Sequence, residues 1–245
     1  MSRGTRAAIL DWGIPIVLLI AATIPFYRTD IDVRIARHFY VPGVGWPQGA
    51  VEPWRFLKHH GVIPAFVLGA GALGFWIASF FAPRFRSARR GALFLVLVLA
   101  IGPGFLVNDV FKEHWGRPRP HDLVEFGGQR EYAAPLIKSP HENGGSFCSG
   151  HAATAFYLLT PYFVLRRRSR WKAAGVFAGG LVYGSLMGYA RMAQGAHFLS
   201  DIVWSLGVVY LTGLALFYVL GLSAESDKVR AGVEVVDGRG VGSVM

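Results

Sequence analysis

Arg191, His197 and Asp201 stand in the string "RMAQGAHFLSD". A histidine and an aspartate four residues apart share one face of a helix, so their side chains can meet. A carboxylate bonded to one ring nitrogen fixes the tautomer and leaves the other nitrogen as a nucleophile or base. Asp201 also lies in an apolar stretch, where an ionised carboxylate is costly without a partner. A polar pair that joins two helices has the same signature. Arg191, a cation shortly before the histidine, favours a reactive site that handles an anion.

Two further strings fit that chemistry. In "SFCSGH", Ser149, Gly150 and His151 open an apolar run. Serine is a good N-cap, the free N–H groups of a helix start attract anions, and a glycine lets an anion approach the backbone. Ordinary capping by Ser149 and an interfacial His151 are the plainer readings. In "KEHWGRPRP", Lys112, Arg117 and Arg119 follow another apolar run, with Pro118 and Pro120 stiffening the frame. Arginine offers phosphate a planar fork and lysine a point charge. Snorkelling to lipid headgroups accounts for Arg117 but not for Lys112 and Arg119 on one side with two histidines and an aspartate.

The elements that must position these residues are membrane helices. The chain of 245 residues is 53% hydrophobic and only 16% charged, outside the soluble range and typical of a polytopic membrane protein. Its net charge of +10 suggests nucleic acid at first sight, but the basic residues flank apolar runs, so membrane topology explains the excess better. The lone cysteine, Cys148, excludes an internal disulfide and a cysteine zinc site. Crossing a hydrocarbon core takes roughly 20 apolar residues. Spans are predicted at 9–26, 61–82, 91–111, 150–165, 172–190 and 198–221, the fourth and fifth being short or glycine-rich.

With six spans, Arg3 and Arg6, the loop Arg84 to Arg90 and the loop Arg166 to Lys172 share one side, cytoplasmic by the positive-inside tendency. Segments 27–60, 112–149 and 191–197 then face out and carry the three strings. The first span also has features of a signal peptide, but Asp11, Trp12 and two prolines in it favour a retained helix. Within 27–60, a short interfacial helix and a plain loop both fit. Asn108 and Asp109 fit either bracing of Lys112 or helix packing. One domain, 1–222, is expected, followed by a flexible cytoplasmic tail, 223–245.

Lys112-x6-Arg119-Pro120, Ser149-Gly150-His151 and Arg191-x5-His197-x3-Asp201 resemble, in order and spacing, the motifs of the type 2 phosphatidic acid phosphatase (PAP2) superfamily. The likeness covers residues 112–201, and the strings around the motifs look most like the lipid A phosphatase branch. Cys148 and Ala190 stand where the family commonly has proline and serine; neither position supplies the nucleophile or the acid, and with His197 and Asp201 filling the nucleophile role Cys148 is not read as a catalytic thiol. The resemblance implies an all-α core of six transmembrane helices and a lipid phosphatase with its site at the periplasmic face of a bacterial inner membrane. The implied catalytic residues are His197, His151 and Asp201, and the implied phosphate ligands are Lys112, Arg119, Ser149, Gly150 and Arg191. Fixed cations take the place of a metal clamp, so no cofactor is expected. The partners are a lipid phosphate and membrane lipids, not nucleic acid. Lipid A is the first substrate, ahead of undecaprenyl diphosphate and phosphatidylglycerophosphate. A lipid phosphotransferase with the same site is the alternative, and an anionic-lipid transporter is the rival class; no repeat or pair of broken helices in matching halves supports the latter.

Overall fold

Helix α5 (Ile63–Phe81) is apolar all round, and Phe66, Val67, Ile77, Phe80 and Phe81 remain exposed on it. Helix α1 (Arg3–Arg28) likewise exposes Ile14, Val17, Leu18, Ile20 and Ile24. Apolar surface of that extent belongs in hydrocarbon, where helices satisfy their own backbone polar groups. The computed structural model describes residues 3–139, 145–166 and 168–223. Among these the chain is almost wholly helical, without strands; the predicted tail lies outside them, apart from Ser223.

Among the described residues, five helical runs are long and apolar enough to cross a membrane: Ala8–Arg28, Trp54–Phe81, Pro83–His114, Arg170–Ala193 and Leu199–Val219. The fourth predicted span, 150–165, differs. It is helical but divided into α8 (Gly150–Phe156), a 3-10 turn (Tyr157–Leu159) and α9 (Pro161–Leu165). Pro161 brings no backbone N–H, and the Thr160 hydroxyl donates to the Tyr157 carbonyl at 2.8 Å. The stretch rises only about 24 Å at 1.5 Å per residue, short of the roughly 30 Å core.

This segment is nevertheless central. It buries Ala152, Ala153, Ala155, Phe156 and Leu159 between α10 (Arg170–Ala193) and α11 (Leu199–Val219). Gly180, Gly184 and Gly188 form a buried stripe on α10. A Cβ at Gly184 would stand 2.0 Å from the Phe156 ring, so the absent side chain is what admits the helix, as in small-residue packing between membrane helices.

Helix α6 (Arg89–Leu99) continues as a π-helix (Ala100–Phe111) into α7 (Lys112–His114). The wide turn accommodates Pro103, whose carbonyl accepts the Asn108 amide at 2.8 Å. Asn108 thus serves packing within its helix.

The segment between the first two spans is helical too: α2 (Ile31–Phe39), α3 (Pro47–Ala50) and α4 (Trp54–His60). Helix α2 buries Asp32, Val33, Ala36 and Phe39. At the far end of the bundle, Arg166 grips Asp11 of α1 with Nη2 to Oδ2 at 2.5 Å and Nη1 to Oδ1 at 3.3 Å. The Tyr218 hydroxyl donates to the same carboxylate at 2.8 Å, which ties α1, the end of α9 and α11 together.

Candidate active site

His197 does not belong to α11. It precedes the N-cap Phe198, so its relation to Asp201 is set by the cap and not by helical stacking. Its Nδ1 lies 2.8 Å from the Ser146 carbonyl and 3.7 Å from Asp201 Oδ2. The direct aspartate bond expected from the spacing is therefore replaced by one to a backbone carbonyl. Because a carbonyl only accepts, Nδ1 carries the proton and Nε2 keeps its lone pair. Asp201 Oδ2 holds this frame, accepting the Ser146 hydroxyl at 2.6 Å and the Phe198 N–H at 2.8 Å. Burial keeps the His197 imidazole below its ordinary pKa, although Asp201 pulls the other way. Its ring is thus neutral at neutral pH.

Three cations gather beside it. Lys112 lies in the fields of Arg119 and Arg191, and Arg191 in those of Arg119 and Lys112. His151 lies against the Lys58 backbone, within the fields of Arg191, His197 and Lys112. Gly145 is the floor between two of them: a Cβ there would meet an Arg119 guanidinium nitrogen at 3.3 Å and the Lys112 chain at 3.6 Å. Arg191 is 8% exposed; its Nη1 donates to Gln194 Oε1 at 2.6 Å, while among the described residues its buried Nε has no partner. Converging cations with an unmet buried donor repel one another until an anion arrives.

Ser149 is fully buried and caps α8, its Oγ accepting the Ala152 N–H at 3.4 Å. Its own N–H donates to Ser205 Oγ at 3.0 Å, so the plain capping role is real, and the hydroxyl proton remains available for an anion. Gly150 faces Asn108: a Cβ would fall 2.5 Å from its Oδ1. Burial pushes the Cys148 thiol well up, with the Asp201 charge adding to it, which leaves it a poor nucleophile. Among the described residues, no three His, Cys, Asp or Glu side chains come together as a metal site would require.

Arg117 departs most from its sequence reading. It does not reach headgroups; it is fully buried. Nε donates to the Ala133 carbonyl at 2.9 Å, Nη1 to Ser200 Oγ at 2.8 Å and to Asp201 Oδ1, and Nη2 to Asp32 Oδ2 at 2.9 Å and the Tyr132 hydroxyl at 3.3 Å. Asp32 was not singled out by its sequence context. A signal exists: within α2 it falls in register with Ala36 and Phe39 on the buried face, where a carboxylate needs a partner.

Residues 91–224 match the model of the PAP2 superfamily. A lipid A 4'-phosphatase of Francisella tularensis subsp. novicida is 32% identical over 78% of this chain and 86% of its own length. A lipid A 4'-phosphatase of Rhizobium leguminosarum is 37% identical over 56% of this chain and 56% of its own length. The crystal structure of a transmembrane PAP2 type phosphatidylglycerolphosphate phosphatase from Bacillus subtilis superposes with a TM-score of 0.50 at 22% identity, over 89% of this chain and 96% of that one. This last likeness speaks to the fold.

Proposed function

Since the chain belongs to the PAP2 superfamily, as a membrane phosphatase, we propose that it removes phosphate from a lipid headgroup at the periplasmic face of a bacterial inner membrane, both termini being cytoplasmic. Lipid A is the first substrate, and the named activity of two relatives makes its 4'-phosphate the first position to test. Undecaprenyl diphosphate and phosphatidylglycerophosphate come next.

The observation that carries this reading is the group of like charges, Lys112, Arg119 and Arg191, around a histidine whose Nδ1 is committed to a carbonyl. Those cations, with the Ser149 hydroxyl and the Gly150 N–H, hold the phosphate oxygens. His197 Nε2 attacks phosphorus in line, the bond to the leaving lipid oxygen breaks, and His151, protonated once the bound phosphate offsets the cations around it, delivers the proton that oxygen needs. His151 then takes a proton from water as water attacks the phosphohistidine, which releases phosphate and restores both rings. Charge developing on the transferred group is met by preorganised cations, whose individual loss typically costs about 10²–10³ in rate.

The test is phosphate release by the purified protein in detergent with chelator present, from each of the three lipids, beside His197→Gln. Release that the variant abolishes while keeping its melting temperature is expected. A His197→Gln protein as active as the parent would refute the nucleophile assignment.

A further inference from the structure

The nucleophile reading rests on His197, and what holds His197 extends beyond the three motifs. We propose that Asp32 on α2 and Arg117 are positioning residues for the reaction: Asp32 engages Arg117 so that the Asp201 carboxylate keeps its charge for His197. This deepens the proposed function and depends on it.

The geometry is a closed chain of hydrogen bonds. All five N–H donors that a guanidinium possesses are used by Arg117, on Ala133, Ser200, Asp201, Asp32 and Tyr132. Asp32 is saturated in turn. Its Oδ1 accepts the Ser200 N–H at 3.0 Å, and its Oδ2 accepts the Ser200 hydroxyl and the Tyr132 hydroxyl, the latter at 3.0 Å. Asp201 divides its oxygens: Oδ1 faces Arg117, while Oδ2 serves Ser146 and Phe198 and faces His197. Arg117, Asp32 and Asp201 side chains are all fully buried.

Charge explains why two carboxylates are needed. One arginine and two aspartates leave a formal charge of −1 in a fully buried cluster. With Arg117 and Asp201 alone the sum would be zero, and His197 would face a neutralised partner. Attack on phosphorus puts positive charge on the imidazole, and a carboxylate beside the Nδ1–H stabilises it. The surplus negative charge supplied by Asp32 is therefore matched to the moment of phosphohistidine formation. A shell of bonds around a first residue is also what fixes its position closely enough for an in-line attack. Asp32 lies outside the residues matched by the family model, 91–224, so the device joins α2 to a core that it precedes in the chain.

Asp32→Asn keeps size and most hydrogen bonds while removing the charge; Tyr132→Phe removes one bond and no charge. The measurement is phosphate release from whichever of the three lipids the parent hydrolyses fastest, with KM, kcat, inhibition by inorganic phosphate and the detergent melting temperature, alongside His197→Gln. Expected for Asp32→Asn is a fall in kcat of at least tenfold per folded molecule, with the inhibition constant for phosphate within about twofold of the parent. Tyr132→Phe should lose less than Asp32→Asn. A purely structural role would lower melting temperature and folded yield yet leave kcat per folded molecule intact, and that result overturns the proposal. Parent-level kcat in Asp32→Asn with an inactive His197→Gln overturns the relay alone. Activity in His197→Gln overturns the nucleophile reading and the relay with it.

Discussion

The bundle buries an arginine against aspartate at each end, and the two clusters are built to different rules. At the site end, Arg117 has every donor met, is wholly enclosed and faces two carboxylates. At the opposite end, Arg166 pairs with the one carboxylate of Asp11, their side chains are 11% and 26% exposed, and among the described residues its buried Nε has no partner. Arg166 also rests 4.2 Å from the Phe217 ring centroid, a cation–π contact that adds to anchorage. The formal sums are −1 for Arg117 with Asp32 and Asp201 and zero for Arg166 with Asp11. Neutral pairs join helices; a charge left over inside a protein points at something that will bring the opposite charge.

Four substitutions or conditions test that contrast. Arg117→Met should do most damage, because it strands Asp32 and Asp201 in a dry core; breaking a buried pair from one side costs about 3–5 kcal/mol, read as loss of folded protein or a large fall in melting temperature. Next comes Arg191→Met, expected to lower kcat/KM by about 10²–10³ without lowering the melting temperature, since it relieves repulsion from Arg119. If it unfolds the protein instead, the cation cluster is structural and the contrast fails.

The third concerns pH. Burial lowers the His197 pKa, and the protonated ring has no lone pair on Nε2, so activity is present above that pKa and is lost as pH falls through it. The acid limb of kcat/KM should therefore lie below the ordinary histidine value of about 6.5. A limb at or above that value would mean that His197 is not buried as the structure shows. The smallest effect is expected from Asp11→Asn, about 1–2 kcal/mol of stability for a partly exposed charged hydrogen bond, with kcat per folded molecule unchanged. A large loss of kcat there would erase the difference between the ends.

The candidate residues could be picked out from the chain because they lie in short strings: Lys112 with Arg119, Ser149 with His151, and Arg191 with His197 and Asp201 are each close in sequence. The helical class and the apolar spans were legible for the same local reason. What escaped depended on distance in sequence. The bond that orients His197 comes from Ser146, and the ion that occupies Arg117 comes from α2, and no spacing rule links such positions. Arg117 read as a headgroup anchor because its neighbours look interfacial, while its burial is decided by a helix contributed from before the second span. The segment 150–165 is legible as a short span, while its division at Thr160–Pro161 is not registered by composition.

That segment is moored at both ends by polar groups, through Ser149 to Ser205 and through Arg166 to Asp11. Helices α10 and α11 shield it from the hydrocarbon, so a segment too short to cross alone crosses inside the bundle, and lipid meets the longer helices around it, such as α1 and α5. The depth of the site end of this inner segment is therefore held by protein contacts and not by the surrounding layer, and activity in liposomes should change little between lipids of moderately different chain length.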